Sequence, residues 1–334
     1  MTDRKREDDE FSERYKNIAV AWQDISDLDD SAVASKIAED RVDIIFDLSG
    51  HTAGNRLGVF AGRAAPIQLG WAGYVGTVGL DTYDGIIADP IEIPPQDDPF
   101  YVEQVIRLPD CYVCYHPPID PPDVAPLPCA SREHFTFGSF NRPAKVNEEV
   151  GRAWARILNE VPGSRIRMVY GGLGEGATQE ALYGVLGRGG VPRDRVDLVG
   201  ETEQAKLLLA YAEVDLGLDP FPYSGGLTTL EAMWMGVPTV TYVGDTFAGR
   251  HSATHLSAAG LVQFCTNSID DYVATAVRLS RQRDDLAELR SGLRERLANS
   301  PLCDAPRFAQ QTVVERTNST VDRLVCVSSS TKLN

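Results

Sequence analysis

From Phe135 to Gly244 the chain alternates short apolar runs with amphipathic stretches, and this alternation narrows the choice of fold more than any other feature. FTFGSF (135–140) leads into a helical pattern over 147–160 with Trp154, Ile157 and Leu158 on one face. RIRMVY (165–170) precedes a helix near 177–187, and RVDLVG (195–200) precedes another near 203–213. VDLGLD (214–219) and PTVTYVG (238–244) follow. Strands and helices in turn, joined by short connections, predict a parallel, doubly wound α/β sheet. Such a sheet binds ligands at the carboxyl ends of its strands.

An earlier and less regular set has the same character. A helix over 31–39, capped by Asp30 or Ser31, precedes the strand VDIIFDL (42–48). The loop SGHTAGNR, a short helix near 57–63, PIQLGW from Pro66 and a strand DGIIAD ending at Asp89 complete it. Proline then thickens in IEIPPQDDP (91–99) and HPPIDPPDVAPLP (116–128), which excludes regular helix or central strand. A chain of 334 residues holds about two cores. The expected division is a first domain over 1–115, a Pro-rich linker over 116–130, a second domain over 131–300, and a C-terminal helix and tail over 301–334.

A net charge of −16 and the lack of a Lys/Arg cluster argue against nucleic acid or an anionic membrane surface as partner. No apolar run reaches the roughly 20 residues of a spanning helix. The polar start MTDRKREDDEF does not read as a signal peptide, so the expectation is a cytoplasmic protein. Cys111, Cys114, Cys129, Cys265, Cys303 and Cys326 are too scattered for a disulfide framework. Cys111 and Cys114 form a lone CxxC that reads as a strand edge, without the second ligand pair a zinc site requires.

The chemistry concentrates in DPFPYSGGLTTLEAMWMGVP (219–238). Gly225, Gly226, Leu227 and Thr228 open a helix, where unpaired N–H groups and the helix dipole suit a diphosphate, and Glu231 follows within reach of sugar hydroxyls. Buried-helix packing around Ala232, Met233 and Trp234 is the competing reading. GSFNRPAK (138–145) leaves the first strand of the same domain, so Arg142 and Lys145 would bring cations to a leaving diphosphate. His251 and His255 share a helix face but lack a third metal ligand, leaving packing or site lining as their expected role. Asp27 and Asp29 fit a DxD pattern, yet stand in an acidic run before a helix and read as a solvated cap. GGLGEGA (171–177) fits a dinucleotide fingerprint weakly, because it follows the second strand of its domain and no supporting acid is present.

GSFNRPAK, DPFPYSGGLTTLEAMWMGVPTV, DLSGHTAGNR and PIQLGWAGYVGTVG together resemble the O-linked N-acetylglucosamine transferase and SPINDLY-like family, glycosyltransferase family 41, over about residues 24–308. The resemblance implies a GT-B fold: two Rossmann-like doubly wound domains facing a cleft, the nucleotide sugar held mainly by the second. By the same resemblance the first domain is incomplete, its sheet leaving an edge or a missing strand unpaired. Lys145 matches the lysine at the donor diphosphate, with Asn141 and Arg142 beside it. Thr228 matches a phosphate-binding threonine, Glu231 the acid at the ribose, and Gly73 a backbone contact near the donor sugar. Gly226 and Leu227 follow the bacterial version of the motif, and Asp40 aligns with an acid considered for proton handling. Leu207 departs from the pattern, since the family places a histidine there.

The resemblance further implies an inverting, metal-independent transfer from a nucleotide-sugar donor such as UDP-GlcNAc to a Ser or Thr hydroxyl of a protein, without a cofactor. GlcNAc is the first expectation for the sugar. Lys145, His51 and Asp40 are the catalytic candidates; His51, in a loop at a strand end, is the best-placed histidine for a general base. The alternative is a truncated or degenerate member that binds nucleotide sugar or a protein partner without turnover.

Overall fold

The computed structural model describes residues 10–201, 203–314 and 324–327. The polar start through residue 9 and most of the expected tail lie outside the described residues. The chain divides into two compact units, one made of Met1–Tyr112 with Gln310–Asn334 and the other of Val113–Ala309.

The strands, in chain order, are β1 (Ile44–Asp47), β2 (Ile67–Gly70), β3 (Gly85–Ala88), β4 (Val105–Arg107), β5 (Thr136–Ser139), β6 (Arg165–Val169), β7 (Val196–Val199), β8 (Leu216–Leu218), β9 (Thr239–Tyr242), β10 (Cys265–Thr266) and β11 (Leu324–Val327). The first unit holds a parallel sheet in the order β11-β1-β2-β3-β4. β1 and β3 are buried at all four positions, as expected of strands covered on both faces. Val33, Ile37 and Phe60, from the helices Asp30–Glu39 and Leu57–Ala61, pack with Ile45 and Tyr83 into one core.

Three local expectations change. Asp29, rather than Asp30 or Ser31, caps the first of those helices, accepting from the Ala32 N–H at 2.8 Å. Asp30 is engaged elsewhere, paired with Arg56 Nε at 2.7 Å. The expectation of an edge or a missing strand left unpaired changes at β1, where Ile44 to Asp47 pair in parallel with Leu324 to Val327, so that β11 and β4 are the outer strands. Nor is CYVC a strand edge. The Tyr112 backbone is spent on side chains: its N–H donates to Asp89 Oδ2 at 3.0 Å, and its carbonyl accepts from Trp71 Nε1 at 2.7 Å.

The second unit carries a parallel sheet in the order β10-β9-β8-β5-β6-β7. Numbered from β5, this is the doubly wound arrangement in which the chain goes out to one side through β6 and β7, then returns across β5 to β8. The crevice where that order reverses lies between β5 and β8. Helix Glu148–Glu160 starts at Asn147, whose side chain accepts from the Val150 N–H at 2.9 Å, and buries Trp154, Ile157 and Leu158. The proline-rich segment belongs to this unit and is pinned by two arginines of helix Arg283–Ala298. Arg290 Nε donates to the Ala125 carbonyl at 2.7 Å and Arg294 to that of Pro122 at 2.6 Å. No helix among the described residues is long and apolar enough to cross a membrane.

Candidate active site

The carboxyl ends of β5 and β8 release the two loops that the motifs singled out, and both converge on Asn141. Its Oδ1 accepts from Lys145 Nζ at 3.3 Å and from Thr228 Oγ1 at 3.3 Å. Lys145 also donates to the Ser224 carbonyl at 2.6 Å and stands 3.9 Å from the centre of the Tyr223 ring. A lysine, an amide and a threonine far apart in the chain thus form one knot at the switch point. All three were candidates from sequence.

Asp219 holds that knot together. Wholly buried at the end of β8, it accepts from the Gly225 N–H at 2.7 Å through Oδ1 and from Thr241 Oγ1 at 2.7 Å through Oδ2. Asn141 Nδ2 lies 3.5 Å from Oδ1. A side chain on Gly225 would crowd this arrangement, since a Cβ would lie 2.5 Å from Thr229 Oγ1 and 3.0 Å from Asp219 Oδ1. Above Gly226 the opposite holds: a Cβ would meet nothing within 4 Å. The entrance to helix Leu227–Trp234 therefore has a tightly braced floor and open space over its first turn. Leu227 borders that opening and is partly exposed.

Burial sets the charges here. Lys145 is lowered to about 8, mainly by desolvation, with Arg142 adding like-charge repulsion and Asp219 opposing both. Glu231 is pushed up to about 7 by burial. A lysine poorly solvated in the free protein gains most from an incoming anion, because the anion restores what water no longer supplies. Arg142 is more exposed, its Nε 3.2 Å from the Tyr170 hydroxyl. Leu207 packs beside the core formed by Phe140, Leu208 and Tyr211. His251 and His255 are buried, and burial lowers His255 to about 3. Among the described residues no group of three or more His, Cys, Asp or Glu is placed to hold a metal ion.

In the first unit, His51 and Gly73 lie in the loops after β1 and β2. His51 Nε2 donates to the Val78 carbonyl at 2.9 Å, and its ring meets Tyr74 edge-on at 5.2 Å. In the neutral ring this bond puts the proton on Nε2 and leaves the lone pair on Nδ1. The two loops interlock. A Cβ on Gly73 would lie 1.6 Å from the Leu48 carbonyl oxygen, and one on Gly50, at φ +48°, would lie 2.3 Å from Tyr74 Cβ. Asp40 does not join them. It ends the helix before β1, paired with Lys36 at 3.7 Å, whereas His51 follows the far end of that strand, about 13 Å along at ordinary strand rise.

Sequence reasoning did not assign Asp219, Tyr223 or Glu103 a role. Asp219 was visible as an acid directly after a β-rich run, the position from which loops of this sheet type receive their bracing. The dinucleotide-like glycines have a packing role: a Cβ on Gly200 would lie 2.2 Å from the Gly174 amide nitrogen, so the two loops touch through backbone.

Residues 5–116 and 130–312 match the family described as Glycosyl transferase family 41. The chain is 38% identical over 322 residues to a probable UDP-N-acetylglucosamine–peptide N-acetylglucosaminyltransferase SPINDLY of Petunia hybrida, covering 95% of this chain and 34% of that one. To the Arabidopsis thaliana protein of the same description it is 39% identical over 306 residues, covering 90% and 33%. The chain thus spans about a third of the length of these plant relatives. A mutant form of the Thermobaculum terrenum O-GlcNAc transferase is similar in structure, with a TM-score of 0.86 at 33% identity, covering 93% of this chain and 59% of that one. HepE of Anabaena, solved with UDP and glucose, shares the fold at a TM-score of 0.55 and 16% identity, covering 90% and 84%. The two parallel α/β units are those of the GT-B type. With four motifs, the switch-point knot and the family match in agreement, the chain belongs to glycosyl transferase family 41.

Proposed function

We propose that this chain carries the catalytic core of an inverting glycosyltransferase that moves a sugar, GlcNAc before others, from a nucleoside diphosphate to a Ser or Thr hydroxyl of a protein. The observation that carries the reading is the convergence of Lys145 and Thr228 on Asn141 beside the open first turn at Gly226. A diphosphate resting on that turn meets backbone N–H groups on one side and the Lys145 ammonium on the other. As the bond to the anomeric carbon breaks, negative charge grows on the departing phosphate, and these donors stabilise it where a divalent ion otherwise would. Glu231 accepts from the ribose hydroxyls. His51 Nδ1 receives the proton of the attacking hydroxyl. The plant relatives, described as using UDP-N-acetylglucosamine as donor and peptide as acceptor, support this assignment of substrates.

Leu207, standing where a histidine belongs in the family, favours a second reading in which nucleotide sugar is bound but not turned over. Calorimetric titration with UDP and GDP, then mass spectrometry of Ser/Thr peptides incubated with UDP-GlcNAc, UDP-glucose and GDP-fucose, separates the two. Transfer is expected to add one sugar mass to the peptide. Binding without any mass increment establishes the second reading, and no binding of either diphosphate sinks both.

Diphosphate affinity is expected to depend on pH with a definite sign. Lys145 loses its charge as pH rises through about 8, so affinity should fall above that value by up to about tenfold per unit. Titration of UDP between pH 7 and 10 checks this. Lys145→Arg, charged across the range, should bind with no alkaline decline, and a decline that persists in that variant removes Lys145 as its source.

A further inference from the structure

Glu103 is a buried carboxylate, 3% exposed, that none of the motifs includes. Its two oxygens grip the loop after β2 at adjacent residues: Oε1 accepts from the Val78 N–H at 2.6 Å and Oε2 from the Thr77 hydroxyl at 2.5 Å. Thr77 Oγ1 in turn accepts from the Gly79 N–H at 3.0 Å. Val78 thus sits between two held peptide planes: its N–H is held by Glu103 directly, and its carbonyl, which accepts from His51 Nε2, belongs to the following peptide, whose Gly79 N–H is held by Thr77 Oγ1. The nearer carboxylate, Asp47, is already committed to the Ser49 and Gly50 N–H groups and the Tyr83 hydroxyl, at 2.9, 3.0 and 2.8 Å. The direction of the His51 ring is therefore set from the other loop.

We propose that Glu103 is the positioning residue for His51: by fixing the peptide before Val78 directly and the one after it through Thr77, it holds the imidazole with Nε2–H donated inward and Nδ1 directed outward as the basic atom. Buried carboxylate bonds, here one to a backbone N–H and one to a hydroxyl that itself holds the next N–H, are strong and expensive to leave unmade, so the clamp can hold a peptide that a solvent-exposed loop would otherwise let rotate. Tyr74, edge-on to the ring, limits its tilt while leaving rotation about the ring's own axis to the Val78 bond. The catalytic part of this inference rests on His51 as the base of the proposed transfer; the positioning part does not.

The test uses the whole chain labelled with 15N-histidine, with the His51 signals assigned by their loss in His51→Gln. In the parent protein, a hydrogen-bonded Nε2–H proton protected from exchange is expected. Glu103→Ala should abolish that protection, Glu103→Gln should restore part of it through its one acceptor oxygen, and Thr77→Val, which leaves the carboxylate in place, should weaken it. UDP affinity, a property of the second unit, should stay within about twofold of the parent in each variant, while turnover in Glu103→Ala falls by about 10- to 100-fold. Unchanged protection of His51 Nε2–H in both Glu103→Ala and Thr77→Val overturns the proposal. Should protection vanish while turnover holds, and His51→Gln also remain active, the clamp stands and His51 is not the base.

Discussion

Lys145→Ala is expected to remove turnover almost entirely, by about 10²- to 10³-fold, the cost of deleting one donor aimed at charge that develops in a transition state. Diphosphate affinity should weaken less, by about 1.5–3 kcal/mol, the range of a charged hydrogen bond. The asymmetry follows from where the ammonium stands. In the free protein it rests on two neutral acceptors, the Ser224 carbonyl and Asn141 Oδ1, and on the Tyr223 ring, so it is available rather than spent in an ion pair. In the proposed transfer its interaction with phosphate strengthens as the sugar departs, which favours the transition state over bound donor. Single-turnover rates and UDP titration of the same variant measure the two losses separately. Equal losses in both would reduce Lys145 to a residue that only binds, and unchanged UDP affinity would dismantle the pocket assignment.

The second large effect concerns stability. Asp219→Ala takes the acceptor from the Gly225 N–H and the Thr241 hydroxyl together, both within a buried site. A buried donor left unpaired costs about 1–3 kcal/mol, and the carboxylate's own desolvation, which raises its pKa, offsets part of the sum. A net loss of about 2–4 kcal/mol is expected from urea unfolding. Asp219→Asn, which keeps an acceptor for one of the two, should lose less than half as much. Because the Gly225 N–H also fixes the entry to helix Leu227–Trp234, UDP binding should weaken in Asp219→Ala even at temperatures where the protein stays folded. Full UDP affinity in a folded Asp219→Ala protein would show that the helix entry needs no such brace.

Much of the second unit was legible because its strands are short apolar runs separated by strongly periodic helices, as in Glu148–Glu160. The meeting of the two candidate loops was legible for a related reason. A parallel sheet sends its loops out at one edge, so the turns after β5 and β8 had to be neighbours once the order of strands was known. What the residues did not reveal were features that depend on partners distant in sequence. β4 is three half-buried residues between proline-rich turns, and its pairing with β3 comes from the sheet rather than from propensity. β11 owes its assignment to pairing with β1. Asp219 and Glu103 were equally opaque, since an acid's value as a clamp depends on which backbone N–H groups end up facing it. Gly73 and Gly50 show the same limit: the sequence marks them as loop glycines, but only the packed loops reveal the missing room.

The pairing of Ile44 with Leu324 has a consequence for biogenesis. A ribosome releases β1 long before it makes the strand that flanks it, while the second unit, continuous in sequence, can condense in the interval. Through that time β1 lacks the neighbour that the finished sheet gives it, and a strand without its neighbour is a template for pairing with other chains. Maturation of the earlier-synthesised half thus waits on a strand translated after the whole of its neighbour, and a stop ahead of that strand would be felt first in the half already made.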